Sequence, residues 1–116
     1  MKHFRYIFIA VIAFAIASCS KSDSLYDRDI DRAEHAMQVN ADSALSILEA
    51  IDPSELKADS LRAKYHYMRA YGHMRRDRSM IGDSLISYAH DYYRGKDVVR
   101  DIRSGMAFAW YKFWGG

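Results

Sequence analysis

The chain has 116 residues, half of them hydrophobic, with nine Tyr, five Phe and two Trp; this is enough for one small domain and too apolar for a disordered one. The formal charge of +2 comes from Lys2 and Arg5. Beyond them basic and acidic residues balance, so the rest of the chain exerts no general pull on nucleic acid.

The N-terminus combines Lys2 and Arg5 with an uncharged apolar run from Ile7 to Ala17. That run is too short to span a bilayer, which needs about 20 apolar residues, and it has the layout of an export signal. It ends Ile16-Ala17-Ser18-Cys19, and Cys19 is the one cysteine of the chain, which rules out an internal disulfide. The tetrapeptide resembles the bacterial lipobox. The resemblance implies that residues 1–18 are a cleaved signal peptide and that Cys19 is acylated, palmitate-type chains providing a stable membrane anchor. The thiol is the one side chain there nucleophilic enough to form the lipid thioether. Residues 19–26 are expected to be the lipidated Cys and a short polar tether. Ser20, rather than Asp, follows the cysteine; by the same resemblance this favours the outer membrane over the inner.

From residue 27 to 116 the apolar residues recur at helical spacing, with few breakers. A first helix is predicted from about Asp27 to Val39, with Ile30, Ala33 and Ala36 or Met37 on one face and Asp27, Asp29 and Asp31 favoured by the helix dipole. Asn40 stops it. Asp42 or Ser43 is the predicted cap of a second helix carrying Ala44, Leu45, Ile47, Leu48 and Ile51. Asp52-Pro53-Ser54 breaks that helix. A third is expected from about Glu55 to Arg76, with Leu61, Tyr65, Met68 and Gly72 down one face. Gly82-Asp83-Ser84 restarts the chain into a fourth, which carries Leu85, Ile86, Ala89, Tyr92 and Tyr93. Gly95 should end it in a left-handed turn. A fifth begins near Asp97, with Val98, Ile102, Met106, Ala109 and Phe113 as its expected inward stripe.

The fold class is therefore all-α, and short turns make neighbouring helices antiparallel. Asp42-Ser43-Ala44-Leu45-Ser46-Ile47-Leu48 echoes Asp83-Ser84-Leu85-Ile86-Ser87-Tyr88-Ala89 at an offset of 41 residues. The stretch from Ala33 to Tyr93 resembles the N-terminal part of bacterial tetratricopeptide-repeat lipoproteins. It does so through the D-S-A-L-x-x-L helix at Asp42, the Tyr-rich helix from Tyr65 to Tyr71, and the D-S-L-I-x-x-A-x-x-Y-Y helix at Asp83. The resemblance implies an irregular solenoid of helix pairs with a protein-binding groove. The 41-residue offset departs from the 34-residue repeat, and only about two and a half helix pairs are present against the three repeats a solenoid generally needs.

Nothing in the chain has the pattern of a catalytic, cofactor or metal site. His35, His66, His73 and His90 form no i, i+4 ligand pair, Gly95-Lys96 lacks the rest of a phosphate loop, and no G-x-S-x-G is present. Arg69, Arg75, Arg76 and Arg78 lie near Tyr65, Tyr67 and Tyr71; a helix C-terminus explains these cations better than RNA binding does. The function expected is that of a membrane-anchored interaction module of the cell envelope, not an enzyme, with an unidentified protein or peptide as partner. Tyr65, Arg69, Tyr71, Trp110 and Trp114 are the candidate interaction surface. The alternative is a truncated copy of a longer repeat lipoprotein with no function of its own. The run Met106 to Trp114 is apolar nearly all round, with Lys112 its one charge. It is expected to leave an uncovered face, through further helices lost or through self-association.

Overall fold

The computed structural model describes residues 23–115. The signal segment, Cys19 and residues 20–22 of the expected tether lie outside the described residues. Within them the chain is all-helical, a succession of antiparallel helix pairs with no strand.

The first helix, α1, covers residues 23–37 and so already includes residues 23–26, which the sequence assigns to the tether. Acidic residues at its start suit the helix dipole, and the Asp23 carboxylate also accepts from the Lys57 amide at 3.3 Å. Ile30, Ala33 and Met37 are buried at i, i+3 and i+7. The chain turns at Asn40, whose side chain accepts from the amides of Asp42 (3.0 Å) and Ser43 (3.3 Å) and caps α2, Ala41–Glu49. Asp42 and Ser43, the caps predicted from sequence, lie inside the first turn. Asn40 serves both as the stop of one helix and the cap of the next.

Ala41, Ala44, Leu45 and Leu48 form the buried stripe of α2. Asp52 then caps a short 3-10 turn, Pro53–Glu55, accepting from the Ser54 amide at 3.0 Å. Here the prediction runs about four residues early: α3 is Asp59–Arg75. Pro53 is well placed in the first turn of a tight helix, but Leu56 behind it takes extended backbone and sinks into the core, 2% exposed. Burying Leu56 requires that interruption.

The central helix is α3. Leu61, Ala63, Lys64, Tyr65, Tyr67, Met68, Ala70 and Gly72 are buried, almost right round its axis. It packs against α2 and against the two helices that follow. A Cβ at Gly72 would stand 2.9 Å from Leu45 Cδ2 and 3.0 Å from Met37 Cε, so the absent side chain is what lets α1, α2 and α3 close on one another. The end of α3 is a Schellman turn: the Arg78 amide bonds to the His73 carbonyl (2.8 Å) and the Asp77 amide to that of Met74 (3.2 Å). Asp77 takes the left-handed conformation this requires, with φ 54.

Met80 and Asp83 pin the following loop into the core. Helix α4, Ile86–Tyr93, buries Ile86, Ala89 and Tyr93. The echo at 41 residues is thus structural as well: Leu45 and Leu48 of α2 and Ile86 and Ala89 of α4 are buried in matched positions. Gly95 adopts φ 72, as its place after the helix predicts. Asp97 caps α5, Val98–Trp110, accepting from the Arg100 amide at 3.1 Å. The described residues close with a wider π-type turn, Tyr111–Gly115.

The orientation of α5 corrects the sequence analysis. Ser104 and Ala107 are its buried residues, with Phe108 and Tyr111 packed against the core beside them. The stripe expected to face inward points away: Val98 is 76% exposed, Ile102 58%, Met106 51% and Phe113 83%. Small side chains at 104 and 107 let α5 lie close to α3 and α4. Arg100 and Arg103, on the same side, lay their apolar stems inward while their charged ends meet partners.

Candidate functional site: a groove between α1 and α5

Those partners define the most structured surface of the molecule. On α1, Glu34 meets Arg100 of α5 through two parallel bonds, Oε1 to Nη2 at 2.7 Å and Oε2 to Nε at 3.0 Å. This fork geometry is the strong form of a carboxylate–guanidinium pair. Lys64, a largely buried cation on α3, pairs with Asp31 and lies 3.9 Å from Glu34. Arg100 also contacts Asp97 at 3.4 Å and stacks 5.7 Å from the Tyr93 ring. One charged cluster therefore ties α1, α3 and α5 together. The Glu34 contact, with burial opposing it, holds Arg100 firmly in its charged form.

One turn further along α5, Arg103 faces Gln38 and Tyr71. With its amide oxygen toward the guanidinium, Gln38 accepts from Nη1 at 2.7 Å and Nη2 at 3.0 Å. Tyr71 lies between two cations, its ring 5.6 Å from Arg103 and 5.9 Å from Arg75, within the range of cation–π attraction. Arg75 in turn donates to the Met37 carbonyl near the end of α1, where an uncapped helix terminus offers an acceptor. Behind Tyr71 the Tyr67 ring packs at 5.9 Å, and Tyr93 in turn packs on Tyr67 at 5.6 Å. Burial pushes the phenols of Tyr93 and Tyr67 up, so both remain neutral hydroxyls.

The result is an open cleft of about 330 Å³ lined by Glu34, His35, Gln38, Asp97, Val99, Arg100 and Arg103. Its walls are α1 and α5, and α3 lies between them. Chemically it offers the Arg100 and Arg103 guanidinium groups and the Gln38 amide beside the carboxylates of Glu34 and Asp97. These suit backbone carbonyls, amides and planar side chains.

The basic cluster at the end of α3 is not an open cationic patch. Asp83, 3% exposed at its side chain, accepts from His73 Nδ1 at 2.6 Å and lies 3.6 Å from Arg69 Nε. Asp42 binds Arg76, and Arg78 at 2.9 Å. The leading Asp of each D-S motif thus takes up arginines, Asp83 that of Arg69 in α3 and Asp42 those of the turn that ends it, a structural role for both.

None of the five residues proposed as an interaction surface lines the groove; Tyr71 comes nearest, in contact with Arg103 of its lining. Tyr65 is corrected: it is 2% exposed and belongs to the core. Six residues from Tyr71 on one helix, it points to another side of α3. Arg69 turns toward Asp83 and the loop. Trp110 and Trp114 lie on the outer side of α5, 38% and 76% exposed, with ring centroids 6.1 Å apart. Sequence reasoning missed Glu34, Gln38, Arg100 and Arg103. The available signal was their pairing of spacings: two polar residues at i, i+4 on the first helix and two arginines at i, i+3 on the last.

Cys19 lies outside the described residues. Among the described residues no group of His, Cys, Asp and Glu is arranged to hold a metal, and no helix is long and apolar enough to cross a membrane. No family model, curated protein or solved structure matches this chain.

Proposed function

We propose that this protein is a lipid-anchored helical-repeat module of the bacterial cell envelope, and that the groove between α1 and α5 receives a segment of a partner protein. The observation that carries the binding reading is the preformed cleft between α1 and α5, its walls clamped by Glu34 and Arg100 and its Arg103 held between Gln38 and the half-buried Tyr71 ring. Preformed polar groups limit the ordering cost of binding. The backbone carbonyls of an extended segment meet the Gln38 amide and the guanidinium N–H groups that Glu34, Asp97 and Gln38 leave over. The anchoring reading is supported by the Ile16 to Cys19 tetrapeptide behind a basic and then apolar N-terminus.

Two measurements test these separately. A photo-reactive amino acid at the exposed His35 should give a discrete adduct in intact cells, and Tyr71→Ala or Arg103→Glu should abolish it. The same adducts from position 81, on a distant loop, would overturn the groove assignment. Fatty-acid labelling should mark the wild type and not Cys19→Ala; equal labelling would remove the lipid anchor.

A further inference from the structure

We infer that the outer face of α5 is a homotypic interface, on which a second copy of this chain packs antiparallel about Met106. This face adjoins the groove, with Val99 at the rim of both, and the test reads the contact between copies without reference to the groove's occupant. Val99, Ile102, Met106, Trp110 and Phe113 form its stripe, exposed by 53%, 58%, 51%, 38% and 83%. None of these positions carries a charge. With Val98 and Trp114 alongside, the face leaves on the order of 800 Å² of apolar surface, since a buried aromatic side chain alone covers about 150–250 Å². That exceeds the roughly 300–600 Å² of the largest patch on an ordinary monomer and equals the ~800 Å² that each partner contributes to a standard interface.

The order of side chains along the stripe points to a second copy. From Met106 it runs 4 and 7 residues back, to Ile102 and Val99, and 4 and 7 forward, to Trp110 and to Phe113 in the π-type turn. A two-fold interface requires each surface to complement itself. This stripe is graded in size, with short aliphatic side chains toward the start and aromatic ones toward the end. Antiparallel pairing sets Val99 and Ile102 of one copy against Phe113 and Trp110 of its mate, and Met106 against Met106. Parallel pairing would crowd aromatic on aromatic and leave gaps between valines, against the density that packed interfaces reach. Antiparallel helix dipoles add to the same preference.

The test is thiol crosslinking of the full chain in intact cells, with the unsubstituted chain alongside to show any product through Cys19. Met106→Cys should give a disulfide dimer on oxidation. Val99→Cys alone should not, because at a rise of 1.5 Å per residue its two copies would stand about 20 Å apart, beyond the Cα separation of roughly 4.4–6.8 Å that a disulfide allows. Co-expressing Val99→Cys with Phe113→Cys should restore a mixed dimer. Met106→Lys, at a half-exposed position that leaves the core untouched, should abolish that mixed product. Bands from Val99→Cys with itself and from Phe113→Cys with itself would show parallel pairing and overturn the geometry. Equal bands from Ile81→Cys would mark random collision. No band at position 106, or a product of another mass, would assign this face to a membrane surface or a different protein.

Discussion

The Glu34–Arg100 pair offers the sharpest test of how α1 and α5 are held. Both side chains are about three-quarters covered, at 24% and 29% exposure, and they meet through two bonds of 2.7 and 3.0 Å. An exposed ion pair contributes about 0.2–1 kcal/mol, whereas a hydrogen bond to a charged group contributes roughly 1.5–3. A partly covered forked pair belongs between these, so a double-mutant cycle over Glu34→Ala and Arg100→Ala should give a coupling of about 1–2 kcal/mol. The single Arg100→Ala change should cost more than Glu34→Ala, because it also removes the contacts with Asp97 and the Tyr93 ring. Urea unfolding followed by circular dichroism reads this directly. With a slope of about 1–3 kcal/mol/M, a loss of 1.5 kcal/mol moves the midpoint by roughly 0.5–1.5 M. Covered pairs are screened less than exposed ones, so most of the coupling should survive in about 1 M salt. A coupling below ~0.3 kcal/mol would refute the reasoning. It would mean that the apolar contacts of α5 alone hold the groove's walls apart at their distance.

Other outcomes follow from single positions. Leu48 is fully buried in α2, so Leu48→Ala should cost about 2–5 kcal/mol in the same melt, while Val39→Ala, 90% exposed, should stay within ~0.5. Asp77 occupies a left-handed conformation at φ 54; Asp77→Gly should stabilise by up to about 1 kcal/mol, and Gly95→Ala, at φ 72, should destabilise by about as much. Burial, and then the Arg69 charge, push the half-buried His66 below its ordinary range, with Asp83 opposing. The unfolded chain therefore takes up this proton more readily than the folded one. The stability involved is fully present above about pH 6.5 and declines as pH falls through the ordinary range toward the folded value. His66→Asn should flatten that part of the stability–pH curve; an unchanged slope would place the proton uptake elsewhere.

The elements of this fold were legible because their causes are local. Asn40, Pro53 and Gly95 break helices through cap chemistry, a fixed φ and a left-handed turn, each confined to a few residues. Burial of Ile30, Ala33, Leu45, Leu48 and Met68 follows from apolar spacing on helices that face a single core. The start of α3 was less legible: Leu56 interrupts it for a tertiary contact that no neighbour in sequence announces.

What the sequence determined about α5 was that it is a helix with an apolar stripe; which side meets the core was decided only in three dimensions. Periodicity divides a helix into faces, but burial depends on what stands opposite. Here Ser104 and Ala107 are small enough to approach α3 and α4, while Glu34, Gln38 and Tyr71 await the two arginines on that same side. A satisfied guanidinium with its stem packed inward competes well with an aliphatic stripe. The groove exists for the same reason. Glu34 and Arg100 are 66 residues apart in the chain, and only the packing of α1 and α5 about α3 brings their charges within bonding distance.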